Sequence, residues 1–548
     1  MGKKFYGLTG TRLNIAIAVI AGTDFALFGY DQGVLGGLLT LPSFLRYFPE
    51  IDVYSKPKAE QGTASNVQGI TVGGYTLGCF FGAVATIWLG NLLGRKKTIF
   101  IGSSIMVVGA AIQASSFSLP QLIVARLITG FGNGMNTSTV PTWQSETSKS
   151  HRRGQMVMIE GSLIVFGVML SYWIDLGFSF LEPSSIAWRF PIAFQILLAL
   201  FVAIMIPGLP ESPRWLILKG REQEALEALA ALSNLPEDDV TIQDEFHSIK
   251  DTVFEMAKGG FSDCFVPNRN RNLHRTILAY VNQMMQQISG INIITYYAAT
   301  IFENNIGLGS FTSRLLAALN GTEYFVASWV AIFIIEKVGR RKLMIFGAAG
   351  QALSMAVLAG TTSHVSKSSG IAAAVFLFVF NSFFAVGWLG MTWLVPAEIT
   401  PLSIRAPANA IATTGNWIWN FMVVMVTPVA FASIGFKTYI IFALINAAMV
   451  PTVYFFYPET AYRSLEEMDE IFQEAQGLKG IFTVVKIAKH KPHRYGKNGE
   501  LLIQYDETEA GRRMSARRNS SVGAPAGDVE KARGRDEDAA EFKDVVEK

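Results

Sequence analysis

The side chains best suited to chemistry here are amides. Gln286, Gln287 and Asn292 sit in the run Gln286-Gln287-Ile288-Ser289-Gly290-Ile291-Asn292, inside an apolar stretch of membrane length. A neutral amide offers both donors and acceptors, which suits hydroxyl groups. In a bilayer such groups face a bundle interior or a watery cavity. Gln and Asn also bond across packed helices as interhelical glue. Taken alone, the run fits solute binding and helix glue equally well. Two charges raise a second question: Asp31, in Gly29-Tyr30-Asp31-Gln32, and Arg126 both fall in apolar segments. A charge there costs about 3 kcal/mol or more, so each needs a partner. Asp24 lies seven residues before Asp31, two turns away on the same helical face. No nucleophile–base pair, metal cluster or phosphate loop is present, which argues against an enzyme and against a metal or organic cofactor.

The elements that must hold these groups are membrane helices. Half of the 548 residues are hydrophobic and only 16% are charged, too apolar a balance for a soluble chain of this length. Charge-free stretches long enough to span a bilayer cover 61–94, 98–125, 190–210, 276–302, 343–363, 368–397, 406–436 and 438–458. Three more, 13–39, 156–180 and 313–335, carry isolated acids, and 98–141 divides at a turn near 115–120. Twelve helices are therefore predicted, near 13–36, 66–90, 98–116, 119–141, 155–178, 188–207, 274–302, 313–336, 343–364, 370–396, 404–431 and 436–457. The first apolar segment is too long for a cleavable signal peptide, and no small-residue cleavage site follows it. Net charge is +3, but its distribution says more. Arg95, Lys96 and Lys97 share one loop, His151, Arg152 and Arg153 another, and Lys337, Arg340, Arg341 and Lys342 a third, whereas the alternate loops are nearly free of bases. The positive-inside rule then puts both termini in the cytosol. Cys79 falls in a helix and Cys264 in a cytosolic loop, so no disulfide is expected. Sequons at Asn136, Asn320 and Asn519 lie where glycosylation cannot reach.

The chain is doubled. Gly94-Arg95-Lys96 returns as Gly339-Arg340-Arg341, an offset of 245; Glu146 with Arg153 returns as Glu398 with Arg405, an offset of 252; Pro210-Glu211-Ser212 returns as Pro458-Glu459-Thr460, an offset of 248. Three motifs repeated in order mark two copies of a six-helix unit, 13–210 and 273–458, joined by a polar linker at 211–272 and flanked by a short N-terminus, 1–12, and a tail, 459–548. Parallel six-helix halves with a midplane site build one large transporter class. In such a machine Arg95, Glu146, Arg153, Arg340, Glu398 and Arg405 can latch helix ends on the cytosolic side; simple anchoring of those ends is the plainer account. The linker patterns 222–233 and 242–256 read as surface helices. The tail after about 473 reads as disordered, with Ser515 and Ser520 behind basic pairs that resemble kinase sites.

Together these motifs resemble a sugar porter of the major facilitator superfamily over about residues 10–472. The resemblance rests on Gly94-Arg95-Lys96, Arg126 with Gly130 and Gly132, Glu146 with Arg153-Gly154, Pro210 through Trp215, Gln286-Gln287 through Asn292 with Tyr296-Tyr297, and Pro458-Glu459-Thr460 with 463–469. Within that family, Asn133 through Thr139, Tyr172-Trp173-Ile174-Asp175 and Trp188 through Ile192 are similar to fungal polyol and glycerol:proton symporter types. The resemblance implies an all-α membrane protein with the major facilitator fold, twelve transmembrane helices in two pseudo-symmetric six-helix halves. It implies substrate contacts at Gln286, Gln287, Asn292, Tyr297, Trp393 and Asn416, and pairing of Asp31 with Arg126. Substrate binding that parts such a pair lets the aspartate take a proton; a permanent pair is structural. The chain departs from the family at Gly161 beside Glu160, at Tyr324 beside Glu323, and in lacking tenth-helix prolines over 387–393. The expected function is plasma-membrane import of a sugar or polyol by proton symport with alternating access. A proton-independent facilitator and a transporter-like nutrient sensor are the alternatives. Expected partners are the small solute, protons and the bilayer, with no nucleic acid.

Overall fold

Inside a bilayer each peptide group must bond within its own segment, so long runs of Leu, Ile, Val, Phe and Ala fold as helices. The computed structural model describes residues 4–147, 153–257, 259–364, 366–463, 465–475, 477 and 479–492, and among them it is helical with no strand. The first half holds α1 (Gly10–Leu38), α2 (Lys58–Leu93), α3 (Arg95–Ala114), α4 (Leu119–Thr147), α5 (Arg153–Ser179) and α6 (Ile186–Met205). The second holds α7a (Asn272–Gln286) and α7b (Asn292–Thr300), α8 (Ser310–Val338), α9 (Arg340–Ser363), α10a (Lys367–Gly387) and α10b (Met391–Ile399), α11 (Arg405–Ile434) and α12 (Lys437–Phe456). Ten of these segments among the described residues are long and apolar enough to span a membrane. The other two are α4, diluted by Asn133, Asn136 and Gln144, and α7, interrupted at its centre. The single helices expected at 274–302 and 370–396 are thus each two pieces.

Packing follows the repeat. Across the halves, α2 lies on α11 and α8 lies on α5, contacts that the repeat exchanges. Within the first half, α2 and α4 meet along Gly78, Gly82, Gly130 and Gly134, where an added Cβ would stand 2.0 to 2.3 Å from a carbonyl oxygen of the facing helix. Such close backbone approach drives association where lipid offers no hydrophobic gain. At the end opposite the basic turns the halves are tied by Arg314 Nη2 to Thr40 O (2.6 Å), Tyr54 OH to Asn305 Oδ1 (3.3 Å) and Tyr172 OH to Thr295 O (2.8 Å).

The linker folds as helices Pro213–Leu218, Glu222–Ser233 and Val240–Ala257 around Trp215, Leu229, Ile242 and Phe246. Asn14 of α1 holds it by donating to Leu232 O at 3.1 Å. One expectation is corrected: the tail does not become structureless at 473. Leu465–Glu474 is followed by a helix, Gly480–His490. Its mean polarity hid a stripe of Val484 and Ala488, which are buried, and Arg463 Nη2 donates to Ala488 O (2.5 Å) and Lys491 O (2.8 Å). Ser515, Ser520 and the sequon Asn519 lie outside the described residues.

Candidate functional site

Two broken helices build the centre. In α7 the break is a π turn, Gln287–Ile291, with Gly290 at φ +101°, a conformation that only glycine takes without strain. In α10 it falls at Trp388–Gly390. The α10 break uses glycine rather than proline: a Cβ on Gly387 would stand 2.6 Å from Gly347 Cα, and one on Gly390 2.1 Å from Met158 Sδ. Unwinding frees the Leu389 carbonyl, Pro396 offers no N–H to Thr392 O, and the amides of α7a donate to this stretch of backbone. Asn282 Nδ2 donates to Met391 O (3.1 Å), Gln283 Nε2 to Thr392 O (3.0 Å), and Gln286 Nε2 to Trp388 O (3.1 Å) and Leu389 O (3.3 Å). Irregular backbone at membrane depth survives where it is re-bonded in this way or lines a cavity.

From there the amides run on as one chain. Gln287 Nε2 donates to Gln286 Oε1 (2.8 Å), and Asn292 Nδ2 to Gln287 Oε1 (2.7 Å). Asn416 Nδ2 reaches Gln283 Oε1 (2.5 Å) and Gln286 Oε1 (3.2 Å). Gln286, Gln287, Asn292, Thr295 and Asn416 form the polar wall of a cavity between the halves. Trp393, Tyr324, Phe384 and Leu389 add apolar surface; the first half contributes Phe28, Gln32, Ile164, Val165 and Val168. None of these lining residues is charged. Glue and lining are thus combined: Gln286 is spent on α10 and its neighbours, while Gln287 and Asn292 stand further along the chain. The Tyr297 hydroxyl donates to Val424 O of α11 at 2.9 Å, and its side chain is not among the residues that line this cavity. Two further amides join the site beyond those the sequence singles out: Gln32 lines the cavity and Gln283 accepts from Asn416. Gln283 was findable, since it lies one turn before Gln286 and Gln287 on the same face. A larger cavity, about 570 Å³, lies beside Lys96, Trp215 and Arg221 under α3. Its mixed charges and distance from the amide chain set it apart from this site.

The first half buries Asp24, Asp31, Arg126, Glu160 and Asp175 within its membrane helices. Both carboxylate oxygens of Asp31 lack a hydrogen-bond partner among the described residues. Arg126 donates from Nη2 to Val72 O (3.3 Å) and lies 5.2 Å from the Tyr75 ring centroid, with Nε and Nη1 without a hydrogen-bond partner among the described residues. Arg126 is the cation close enough to act electrostatically on Asp31, yet the two make no ion pair among the described residues. Asp24 is engaged elsewhere, accepting from Asn136 Nδ2 at 2.6 Å. In the second half Glu323 accepts from the Ser382 hydroxyl; both oxygens of Asp175, in the first, lack a hydrogen-bond partner among the described residues.

At the basic end the three repeated motifs converge, once in each half. Gly94 and Gly339, at φ +86° and +94°, turn the chain into α3 and α9. The backbone N–H groups of Arg95 and Lys96 donate to Glu211, each at 3.1 Å, and those of Arg340 and Arg341 to Glu459 at 2.8 and 3.2 Å. A carboxylate at a helix N-terminus complements its dipole. Burial nonetheless outweighs those hydrogen bonds for Glu211 and holds its carboxyl above the usual carboxylate range. Arg95 then pairs with Glu146 at 2.9 Å, and Arg340 with Glu398 at 3.0 Å. Each of the two glutamates thus pairs with the arginine of the turn in its own half, and Glu398 also accepts from the Thr460 hydroxyl at 2.5 Å. Arg405 donates to Thr400 O at 3.1 Å, and the Arg153 side chain lies outside the described residues.

Two six-helix halves around an uncharged cavity with one polar wall make a membrane carrier. Comparisons with known proteins place it further. The family model described as sugar (and other) transporter matches residues 15–472. The MFS-type transporter oryC of Aspergillus oryzae is 39% identical over 533 residues, covering 95% of this chain and 96% of the relative. Sugar transporter STL1 of Saccharomyces cerevisiae is 40% identical over 477 residues, covering 86% and 83%. Among solved structures, the proton:xylose symporter XylE with 6-bromo-6-deoxy-D-glucose bound shares the fold, with a TM-score of 0.70 at 23% identity, covering 84% of this chain and 99% of its own. The chain belongs to the sugar (and other) transporter family of the major facilitator superfamily, a family of multi-pass carriers rather than enzymes.

Proposed function

We propose that this carrier imports an uncharged polyhydroxyl solute, a sugar or polyol, across the plasma membrane by proton symport, with both termini in the cytosol. The observation that carries the reading is the amide chain Gln286–Gln287–Asn292 with Asn416, facing a cavity between the halves in which no lining residue is charged. Amides bond hydroxyls without demanding a charge, and Trp393 offers a flat apolar surface to the carbon face of a ring. The relative named above as a sugar transporter, STL1, and the family described as sugar (and other) transporter support the solute class. Asp31 and Arg126, close but unpaired, support proton coupling. Radiolabelled uptake of glycerol, sugar alcohols, hexoses, pentoses and disaccharides in a transport-null host tests the reading directly. At least one of these solutes is expected to accumulate against its gradient and to lose that accumulation with a protonophore. Equilibration unaffected by protonophore or external pH would make the protein a facilitator, and no uptake of any neutral solute would remove the substrate class.

The Arg95–Glu146 and Arg340–Glu398 pairs act as the latch of the cytosolic side in this reading, holding helix ends in register when that side closes. Replacing Arg95 and Arg340 together by Ala is expected to leave the carrier open to the cytosol for longer. A cysteine introduced at Val168 should then react several-fold faster with a thiol reagent applied from the cytosolic side. Unchanged labelling would mean that these pairs only anchor helix ends.

A further inference from the structure

We propose that the helix Gly480–His490 is an interfacial helix that binds anionic lipid headgroups. Its inner side is settled by packing: Gly480, Val484 and Ala488 are buried, and Arg463 holds its C-terminal carbonyls. Phe482, Lys486 and Lys489 are all exposed, Phe482 by 61%. Spacings of four and seven residues put these three on one helical face. That face continues the lipid-facing surface of α12. The Phe482 ring lies 5.2 Å from that of Phe456 in the last turn of α12, beside Tyr454 and Phe455, each about half exposed. Clustered aromatic residues at a helix end mark the membrane–water interface.

The charges complete the case. Lys491 is occupied by Glu470 at 3.0 Å and Glu474 at 3.6 Å, whereas Lys486 and Lys489 form no ion pair with a described residue. Arg341, at the start of α9, sits 4.8 Å from the Tyr454 ring centroid and adds a third cation near the same aromatic residues. A ring directed into the acyl boundary with ammonium groups beside it matches an amphipathic helix lying in the headgroup layer. The stems of the lysines can run along the apolar surface while their ends reach phosphate oxygens. The assignment rests on the cytosolic placement of this end, since the cytosolic leaflet carries the anionic lipids.

The test uses the full-length protein in nanodiscs of phosphatidylcholine, with and without phosphatidylserine, and reads hydrogen exchange of the amides over 480–490. Each basic residue near an anionic surface contributes about a fivefold change in binding, so two give about 25-fold. Exchange should slow by up to that factor in the phosphatidylserine discs. K486A/K489A should remove the lipid response while keeping the helix, because Ala is the better helix former. F482A should weaken protection in both kinds of disc. Equal exchange in the two lipids, a response that survives K486A/K489A, or equal protection by soluble glycerophosphoserine would each overturn the proposal. Protease access to the tail in intact cells scores the sidedness separately: cleavage from outside would overturn the cytosolic placement, whatever the nanodiscs show.

Discussion

Gln286→Ala is expected to abolish transport, and Gln287→Ala to preserve maximal transport while raising the half-saturation concentration about tenfold. The two neighbours differ because their bonds differ. Gln286 donates to two carbonyls at the α10 break and accepts from Gln287 and Asn416. Its removal leaves several buried polar groups without partners, at about 1–3 kcal/mol each. The break in α10 then has little to hold it, and the damage should appear as reduced thermal stability in detergent and as lost maximal transport. Gln287 touches no backbone of α10. It links Gln286 to Asn292 and faces the cavity. Losing one such contact to a bound hydroxyl costs about 1–3 kcal/mol, or about 5- to 150-fold in affinity. Steady-state uptake, with surface expression measured in parallel, separates the two outcomes. An unchanged half-saturation concentration for Gln287→Ala would leave the amide run as interhelical glue alone.

Much of this architecture was legible because the bilayer restricts the choices. Spanning helices had to be long and apolar, and the repeated Gly-Arg, Glu-Arg and Pro-Glu motifs exposed the doubling before any contact was known. The structure shows why the three motifs repeat together: Glu211 and Glu459 cap the helices whose first arginines pair with Glu146 and Glu398. What periodicity did not show was where helices break. Gly290 and the Trp388–Gly390 segment lie in apolar runs that read as continuous, and only the crossing of α7 over α10 makes breaking there stable. The same geometry places single residues at the site. Tyr297 sits in the expected run after the π turn, and its hydroxyl bonds Val424 O of α11. Gln32 follows the conspicuous Asp31 and reaches the cavity that Asp31 does not line. The helix at 480–490 was lost for a different reason. An apolar stripe of a few residues in a basic segment is too short to register without the surface of α12 that receives it.

Asp31→Asn is expected to abolish uphill accumulation driven by a pH gradient while sparing downhill exchange of substrate. Asn has the shape of the protonated acid and cannot release or take up a proton, so it should fix the carrier in one protonation state. Both oxygens of Asp31 lack a partner among the described residues, and Arg126, the nearby cation, is held instead by Val72 O and the face of Tyr75. A carboxylate and a guanidinium so placed can pair in one arrangement of the helices and part in another. Gly29 and Gly33, which flank Asp31 within a turn, press directly on α5: a Cβ on Gly29 would stand 1.7 Å from Ile164 O, and one on Gly33 2.1 Å from Ser171 Oγ. The α1–α5 contact is therefore close-packed at that level. A change in the Asp31–Arg126 distance is then expected from movement of α4 relative to that pair, or from a swing of the Arg126 side chain. Arg126→Ala should accordingly impair accumulation too, but through the loss of the partner rather than of the proton acceptor. Arg126→Lys, which keeps the charge, should recover part of it. The measurement is steady-state accumulation in proteoliposomes with an imposed pH gradient, alongside counterflow without one. Wild-type-like accumulation by Asp31→Asn would place the proton elsewhere. Equal loss of accumulation and counterflow would mean that the residue is needed for the conformational cycle itself.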